Sequence, residues 1–150
     1  MELMSEAVIE LEKLAKTGKY LFHGSPMKLD VIEPRQAYNN SRPDGEPAVA
    51  ATSFYQLAIF RAIMLAARAQ VSPGHYQSGF SFSNGQLSFR ANKETLTAAR
   101  SNITGFVYVL DKGSFRKHSS MEYRTSASVR PVRVFEVGAD DLPAEIVTVD

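Results

Sequence analysis

The chain contains no cysteine among its 150 residues. This absence excludes a disulfide scaffold, a thiol nucleophile and a zinc site with thiolate ligands. It is compatible with a reducing compartment, and we expect a cytoplasmic protein. The chain also lacks an excess of one charge, because 17 Lys and Arg oppose 16 Asp and Glu, a net charge of +1. Any affinity for nucleic acid or anionic lipid would therefore depend on a local patch.

Long apolar runs and several common catalytic signatures are missing as well. The first 19 residues carry acidic side chains every few positions, so we expect neither a signal sequence nor a membrane span there. The three histidines follow no metal-binding spacing, and we expect no metal site. No nucleophile elbow, Walker loop or dinucleotide glycine fingerprint occurs.

The composition is that of an ordinary folded protein, with 44% apolar and 22% charged residues. A chain of this length can bury roughly two thirds of its unfolded surface in one core. We therefore predict a single domain over residues 1–150.

Apolar periodicity predicts two helices. The first covers about 5–17, with Ser5 as its N-cap and Gly18 after its end. The second begins after a cap at Ser53 and runs to about Gln70. It is apolar on nearly every side except at Arg61 and Arg68, so we expect it to be largely buried.

Strand patterns fill much of the remaining chain. Two alternating runs, 80–82 and 87–89, flank Asn84-Gly85, the dipeptide most typical of a type I′ hairpin turn. Further strands are predicted over 20–23, 48–52, 105–110, 129–137 and 145–149. Residues 36–47 are rich in Asn, Pro, Asp and Gly and predict a surface loop. Two helices followed by mostly antiparallel strands indicate the α+β class.

Three short segments carry residues suited to chemistry. In the first, a strand ends in His23-Gly24-Ser25, where an imidazole and an accessible backbone could meet a ligand; a structural turn is the alternative. In the second segment, residues 48–58, a strand of small residues leads directly into a helix; ordinary packing of a strand on a helix is the alternative. In the third, Glu122 precedes the last long strand region, where pairing with Arg124 or Arg130 is the alternative.

Taken in order, these three segments resemble the ADP-ribosyltransferase fold, most closely the branch of the poly(ADP-ribose) polymerases and its small bacterial relatives. The resemblance covers residues 20–137 and implies split, mostly antiparallel sheets with NAD as the substrate. It implies that His23 bonds a ribose hydroxyl and that the Gly24 backbone holds the nicotinamide amide, with Ser25 beside them. Glu122 would be the catalytic carboxylate.

The same resemblance implies further cofactor contacts. Thr52 and Tyr55 belong to the second motif, Phe60 corresponds to an aromatic that stacks on nicotinamide, and Arg35 would reach the pyrophosphate. For Phe60 and Arg35, a core position and a surface position are the respective alternatives. The chain departs from the family at Val49, where the polymerase branch has a tyrosine.

The resemblance implies a mono-ADP-ribosyltransferase that breaks the nicotinamide–ribose bond of NAD and transfers ADP-ribose to an acceptor. Ser120 stands where arginine-modifying members have Glu or Gln, which disfavours an arginine acceptor. Two alternatives stay open. One is an inactive module that binds a nucleotide or a partner, suggested by Val49. The other is an RNA 2′-phosphotransferase, which shares the fold and uses arginines in place of Glu122.

Overall fold

The structure, a computed structural model, describes residues 5–39 and 41–150. In this part of the chain there are three α-helices, eleven strands and two short 3₁₀ helices. The helices are α1 (Glu6–Lys16), α2 (Tyr55–Arg68) and α3 (Lys93–Ala99). The strands are β1 (Tyr20–Ser25), β2 (Tyr38–Asn39), β3 (Arg42–Pro43), β4 (Val49–Ala51), β5 (Ser78–Ser83), β6 (Gln86–Asn92), β7 (Thr104–Asp111), β8 (Arg116–Lys117), β9 (Tyr123–Thr125), β10 (Arg133–Gly138) and β11 (Ile146–Val149).

Both predicted helices are confirmed, with one correction at an N-terminus. Ser5 caps α1 as expected, because its hydroxyl accepts the amide of Val8 at 3.2 Å. The N-cap of α2, however, is Phe54 rather than Ser53. The hydroxyl of Thr52 accepts the amide of Phe54 at 3.1 Å, so a polar turn precedes the helix in place of a side-chain cap.

The central sheet has the order β1-β7-β10, with antiparallel pairing throughout. Helix α2 packs directly on one face of this sheet, and glycine makes the close approach possible. A Cβ atom on Gly24 would lie 2.0 Å from the carbonyl oxygen of Ala58, and one on Gly105 would lie 2.9 Å from the backbone of Ala62. The predicted burial of α2 is confirmed, since eight of its residues are buried.

A second sheet has the order β4-β9-β8 and joins the first through a single pair. Phe22 and Thr52 exchange both backbone hydrogen bonds, at 2.7 and 2.9 Å. A second apolar cluster lies on the face of the central sheet away from α2, and its buried members are Leu21, Ile32, Val49, Ala51, Tyr108, Leu110 and Phe115. Each large side chain buried in this way contributes about 1.5–3 kcal/mol to folding.

The predicted hairpin is confirmed, with Asn84 and Gly85 at φ 53° and 74° as a type I′ turn requires. Strand β11 adds to this hairpin by parallel pairing with β6. Helix α3 follows β6 directly and is an element that the sequence patterns did not predict. The predicted strand over 129–137 was too long, because β10 begins only at Arg133. Val129 instead bridges to Ile32.

These elements form an α+β domain of mostly antiparallel small sheets, as predicted. Across residues 5–39 and 41–150, no helix has both the length and the apolar character needed to cross a membrane. The predicted surface loop over 36–47 contains the short ribbon of β2 and β3 and is closed by the backbone pair Arg35–Ala48.

Candidate functional site

The candidate site lies where β1 and β4 separate. The two strands are joined at Phe22 and Thr52, but the next pair in this register, Gly24 and Ala50, makes no backbone bond. Instead, the imidazole Nδ1 of His23 lies 2.7 Å from the carbonyl oxygen of Ala50. The side chain of His23 thus takes the hydrogen bond that the Ala50 carbonyl would have formed with β1 in a continued ladder.

This contact sets the tautomer of His23, and burial sets its charge. A carbonyl oxygen can only accept, so Nδ1 carries the proton and Nε2 is an acceptor in the neutral ring. Burial lowers the pKa of His23 below its ordinary 6.5; the Ala50 carbonyl acts in the opposite direction, and the nearby charges of Arg61 and Arg35 lower the pKa further. His23 is therefore neutral at neutral pH.

The second ring nitrogen of His23 is open to a ligand. Among the described residues, none is hydrogen-bonded to Nε2, and no buried side-chain nitrogen or oxygen lacks a partner. An Nε2 atom that has no partner and is not fully buried keeps some contact with solvent. The site therefore presents a neutral, oriented acceptor at its surface.

Gly24 contributes its backbone to the same gap. Residues two apart on a strand direct their backbone groups to the same side, so the N–H and C=O of Gly24 point toward β4, as those of Phe22 do. Within residues 5–39 and 41–150, neither group bonds to a residue outside the β1–β7 ladder, and the alternation of the strand turns both groups away from β7. One donor and one acceptor are thus presented side by side at this edge. The need for glycine here has a separate cause, which is the contact of its Cα with α2.

Two arginines lie near enough to His23 for their charges to act on its ring. Arg35 and Arg61 are both exposed, and both lower the pKa of His23 through their charge. Neither makes an ion pair in the part of the chain that the structure describes. The sequence patterns marked Arg35 as a candidate but treated Arg61 only as a solvent-facing interruption of an apolar helix. Its place one turn after Ala58, which touches Gly24, is visible only once α2 is docked on β1.

Glu122 directly precedes β9, the strand that lies on the far side of β4 from this gap. Strands β4 and β9 pair at Ala51 and Tyr123, so Glu122 is the residue opposite Thr52, which in turn pairs with Phe22. Phe22, Thr52 and Glu122 form one row across neighbouring strands, so the Glu122 side chain leaves its sheet on the face of Phe22, whereas the His23 side chain leaves on the other face. At about 5 Å per strand, the backbone of Glu122 lies on the order of 10 Å from that of Phe22.

The Glu122 side chain is held by an ion pair. Its carboxylate accepts from Nε of Arg124, which confirms the pairing that the sequence offered as an alternative. The Arg124 guanidinium also contacts Asp44, with Nη2 at 2.9 Å from the carboxylate and Nη1 at 3.0 Å from the backbone carbonyl. The Glu122 side chain remains 32% exposed, so it keeps partial access to solvent.

Four other residues predicted to contact NAD either lie away from the gap or already accept a hydrogen bond within the chain. Phe60 is in the core, 2% exposed, with its ring centroid 4.7 Å from that of Phe89. Tyr55 packs edge-on against Phe22, on the helix side of the sheet, and so lies on the face opposite His23. The hydroxyl of Ser25 accepts the amide of Met27, and that of Thr52 accepts the amide of Phe54.

The position of the family tyrosine holds a core residue. Val49 is 1% exposed and belongs to the second apolar cluster, so no aromatic ring faces the gap from β4. Elsewhere, a surface groove of about 730 Å³ runs along α3 past Gln70, Glu94 and Ser101 and includes none of the predicted site residues. Within residues 5–39 and 41–150, no cluster of three or more carboxylates and histidines could hold a metal ion.

Comparison with models of protein families, with curated proteins and with solved structures gave no match to this chain.

Proposed function

We propose that the chain is an NAD-dependent mono-ADP-ribosyltransferase that uses the gap between β1 and β4 as its nicotinamide site. The observation that carries this proposal is that an oriented, neutral His23 stands next to Gly24, whose backbone N–H and C=O are free to bond a ligand. A carboxamide needs one acceptor for its NH₂ and one donor for its oxygen, and the Gly24 backbone offers both at one edge.

The remaining groups fit the rest of NAD. Nε2 of His23 would accept a hydrogen bond from a hydroxyl of the adjoining ribose. Arg35 and Arg61, which have no acidic partner in the described part of the chain, would neutralise the pyrophosphate. The acceptor character of His23 requires the neutral ring, which its lowered pKa provides at neutral pH.

Glu122 would act when the glycosidic bond breaks. The bond between ribose C1′ and the nicotinamide nitrogen is lost, its electron pair leaves with nicotinamide, and the sugar gains oxocarbenium character. A fixed carboxylate near the ribose hydroxyls interacts more strongly with this cation than with the ground state, and so lowers the barrier. A nucleophile on the acceptor then attacks C1′ and releases a proton.

Three specific observations favour other functions of the same site. The carboxylate of Glu122 is paired with Arg124, and Val49 supplies no aromatic wall, both of which suit a module that binds a nucleotide without turnover. The unpaired Arg35 and Arg61 would suit a phosphorylated RNA, as in an RNA 2′-phosphotransferase.

The test is incubation of the purified protein with NAD labelled in the adenylate part and a lysate of its host, following both nicotinamide release and label transfer. Wild type is compared with Glu122→Gln and with Glu136→Gln, a matched change at an exposed glutamate on β10. We expect release by wild type and Glu136→Gln and a loss of at least about a hundredfold in Glu122→Gln, the usual scale for removing a transition-state charge contact.

Other results of this experiment would support one of the two alternative functions. NAD binding by calorimetry without nicotinamide release by any variant would replace the enzyme with the binding module. Loss of the 2′-phosphate from a phosphorylated RNA with NAD present would favour the phosphotransferase. Equal release by wild type and Glu122→Gln would contradict the mechanism proposed for Glu122.

A further inference from the structure

The guanidinium of Arg124 joins two parts of the chain that are 80 residues apart. On one side it holds the carboxylate of Glu122. On the other it binds Asp44 in the 36–47 loop through two separate nitrogens, Nη1 to the backbone carbonyl and Nη2 to the carboxylate. The Arg124 side chain is only 15% exposed, so these contacts are shielded from water more than an ordinary surface ion pair is.

The loop is organised around the same point. The side-chain amide of Gln36 donates to the carbonyls of Ala37 and Gly45, each at 2.9 Å, and the amide of Asp44 donates to Ala37 at 2.8 Å. A Cβ on Gly45 would lie 3.3 Å from Nη1 of Arg124, so the loop backbone packs closely on the guanidinium. The position of the loop and the orientation of Glu122 therefore share one anchor.

We propose that Arg124 is a positioning residue that couples closure of the 36–47 loop to the orientation of the Glu122 carboxylate. This inference rests on the proposed function, in which Glu122 faces the ribose of NAD. Arginine is suited to the role because its planar fork satisfies both partners at once, whereas lysine offers a single point charge. When the loop is displaced, Arg124 loses two of its three contacts and Glu122 loses its fixed partner.

Hydrogen exchange tests the coupling without requiring any reaction. The probe is the Asp44 amide, and the reference is the Ile32 amide, which donates to Val129 at 2.8 Å outside the loop. We expect Arg124→Gln to speed exchange at Asp44 about tenfold and Glu122→Gln to speed it about threefold, since groups in one network are energetically coupled. Exchange at Ile32 should be unchanged.

The matched control is Arg130→Gln, a change at an exposed arginine without an ion pair in the described part of the chain. In the Arg130→Gln variant, the Asp44 amide should exchange at the wild-type rate. If Arg124→Gln speeds exchange while Glu122→Gln does not, Arg124 anchors the loop alone, and the coupling is overturned. No change in either variant also overturns it. If Arg124→Gln fails to fold, Arg124→Lys is used in its place with the same expectations.

Kinetics of nicotinamide release then separate positioning from a purely structural role. Arg124→Gln and Arg124→Lys should both lower kcat by about tenfold and change KM by less than about threefold, because the carboxylate is misdirected while the nicotinamide site is intact. Full rescue by lysine would show that only the charge matters and would overturn the proposal. If wild type releases no nicotinamide, the proposed function fails, while the exchange result still decides whether the loop and Glu122 are coupled.

Discussion

Substitution of Gly24 by alanine tests why a glycine follows His23. The added Cβ would lie 2.0 Å from the carbonyl oxygen of Ala58 and 3.0 Å from the amide nitrogen of Ala62. Ordinary contact begins at 3.4 Å, so the backbone of α2 would have to withdraw by roughly 1.4 Å. Both neighbours are helix backbone and cannot rotate away as a flexible side chain would.

The expected cost is at the upper end of the range for overpacking a core, about 3 kcal/mol of the free energy of unfolding. For a domain of this size that corresponds to a decrease in Tm of about 6–12 °C. The assay is urea unfolding followed by circular dichroism. Gly138→Ala is the matched control, since its Cβ would meet nothing closer than 3.7 Å and its φ of −134° suits alanine.

We expect Gly138→Ala to lie within about 1 kcal/mol of wild type, because the reduced freedom of its unfolded chain is a small effect. A Gly24→Ala protein as stable as Gly138→Ala would refute the packing explanation. Gly24 would then be required only by a ligand.

Two further predictions concern stability. The lowered pKa of His23 means that the folded state binds fewer protons than the unfolded state just below pH 6.5, so stability is complete above that pH and is lost as the pH falls toward the folded pKa. His23→Gln should reduce this pH dependence in urea titrations, and an unchanged dependence would count against the buried neutral ring. Asn92→Ala should lower the free energy of unfolding by about 1–2 kcal/mol, because Asn92 caps α3 at the amide of Thr95 and donates to the carbonyl of His75 at 2.7 Å. A loss below about 0.5 kcal/mol in thermal unfolding would show that α3 does not depend on its cap.

Local chemistry accounts for the elements that the sequence predicted well. Asn84-Gly85 requires positive φ at two successive residues, and few other structures would place that dipeptide between alternating apolar runs. Ser5 begins a periodic apolar stripe, so α1 could be located to within a residue. The short apolar run before His23 likewise indicated β1, but the strand does not end at His23 as predicted, because its pairing with β7 continues to Ser25.

The elements that were missed depend on contacts distant in the chain. Helix α3 has only seven residues, too few for periodicity to separate it from the strand that precedes it. Phe60 fitted both the core and a stacking position, and only the docking of Phe89 against it decided between them. Arg61 and Asp44 showed no local signal, because their roles appear when α2 reaches β1 and when the loop reaches Arg124.

The most direct test of the proposed site is nitrogen-15 NMR of the histidine rings, recorded before and after addition of NAD. His23→Gln assigns the signal among the three histidines. In the free protein at pH 7, we expect a neutral His23 ring protonated at Nδ1. NAD should then shift the Nε2 resonance of His23 and leave that of His75 in place. A charged His23, or NAD binding that leaves its Nε2 resonance unchanged, would contradict the assignment of this gap as the nicotinamide site.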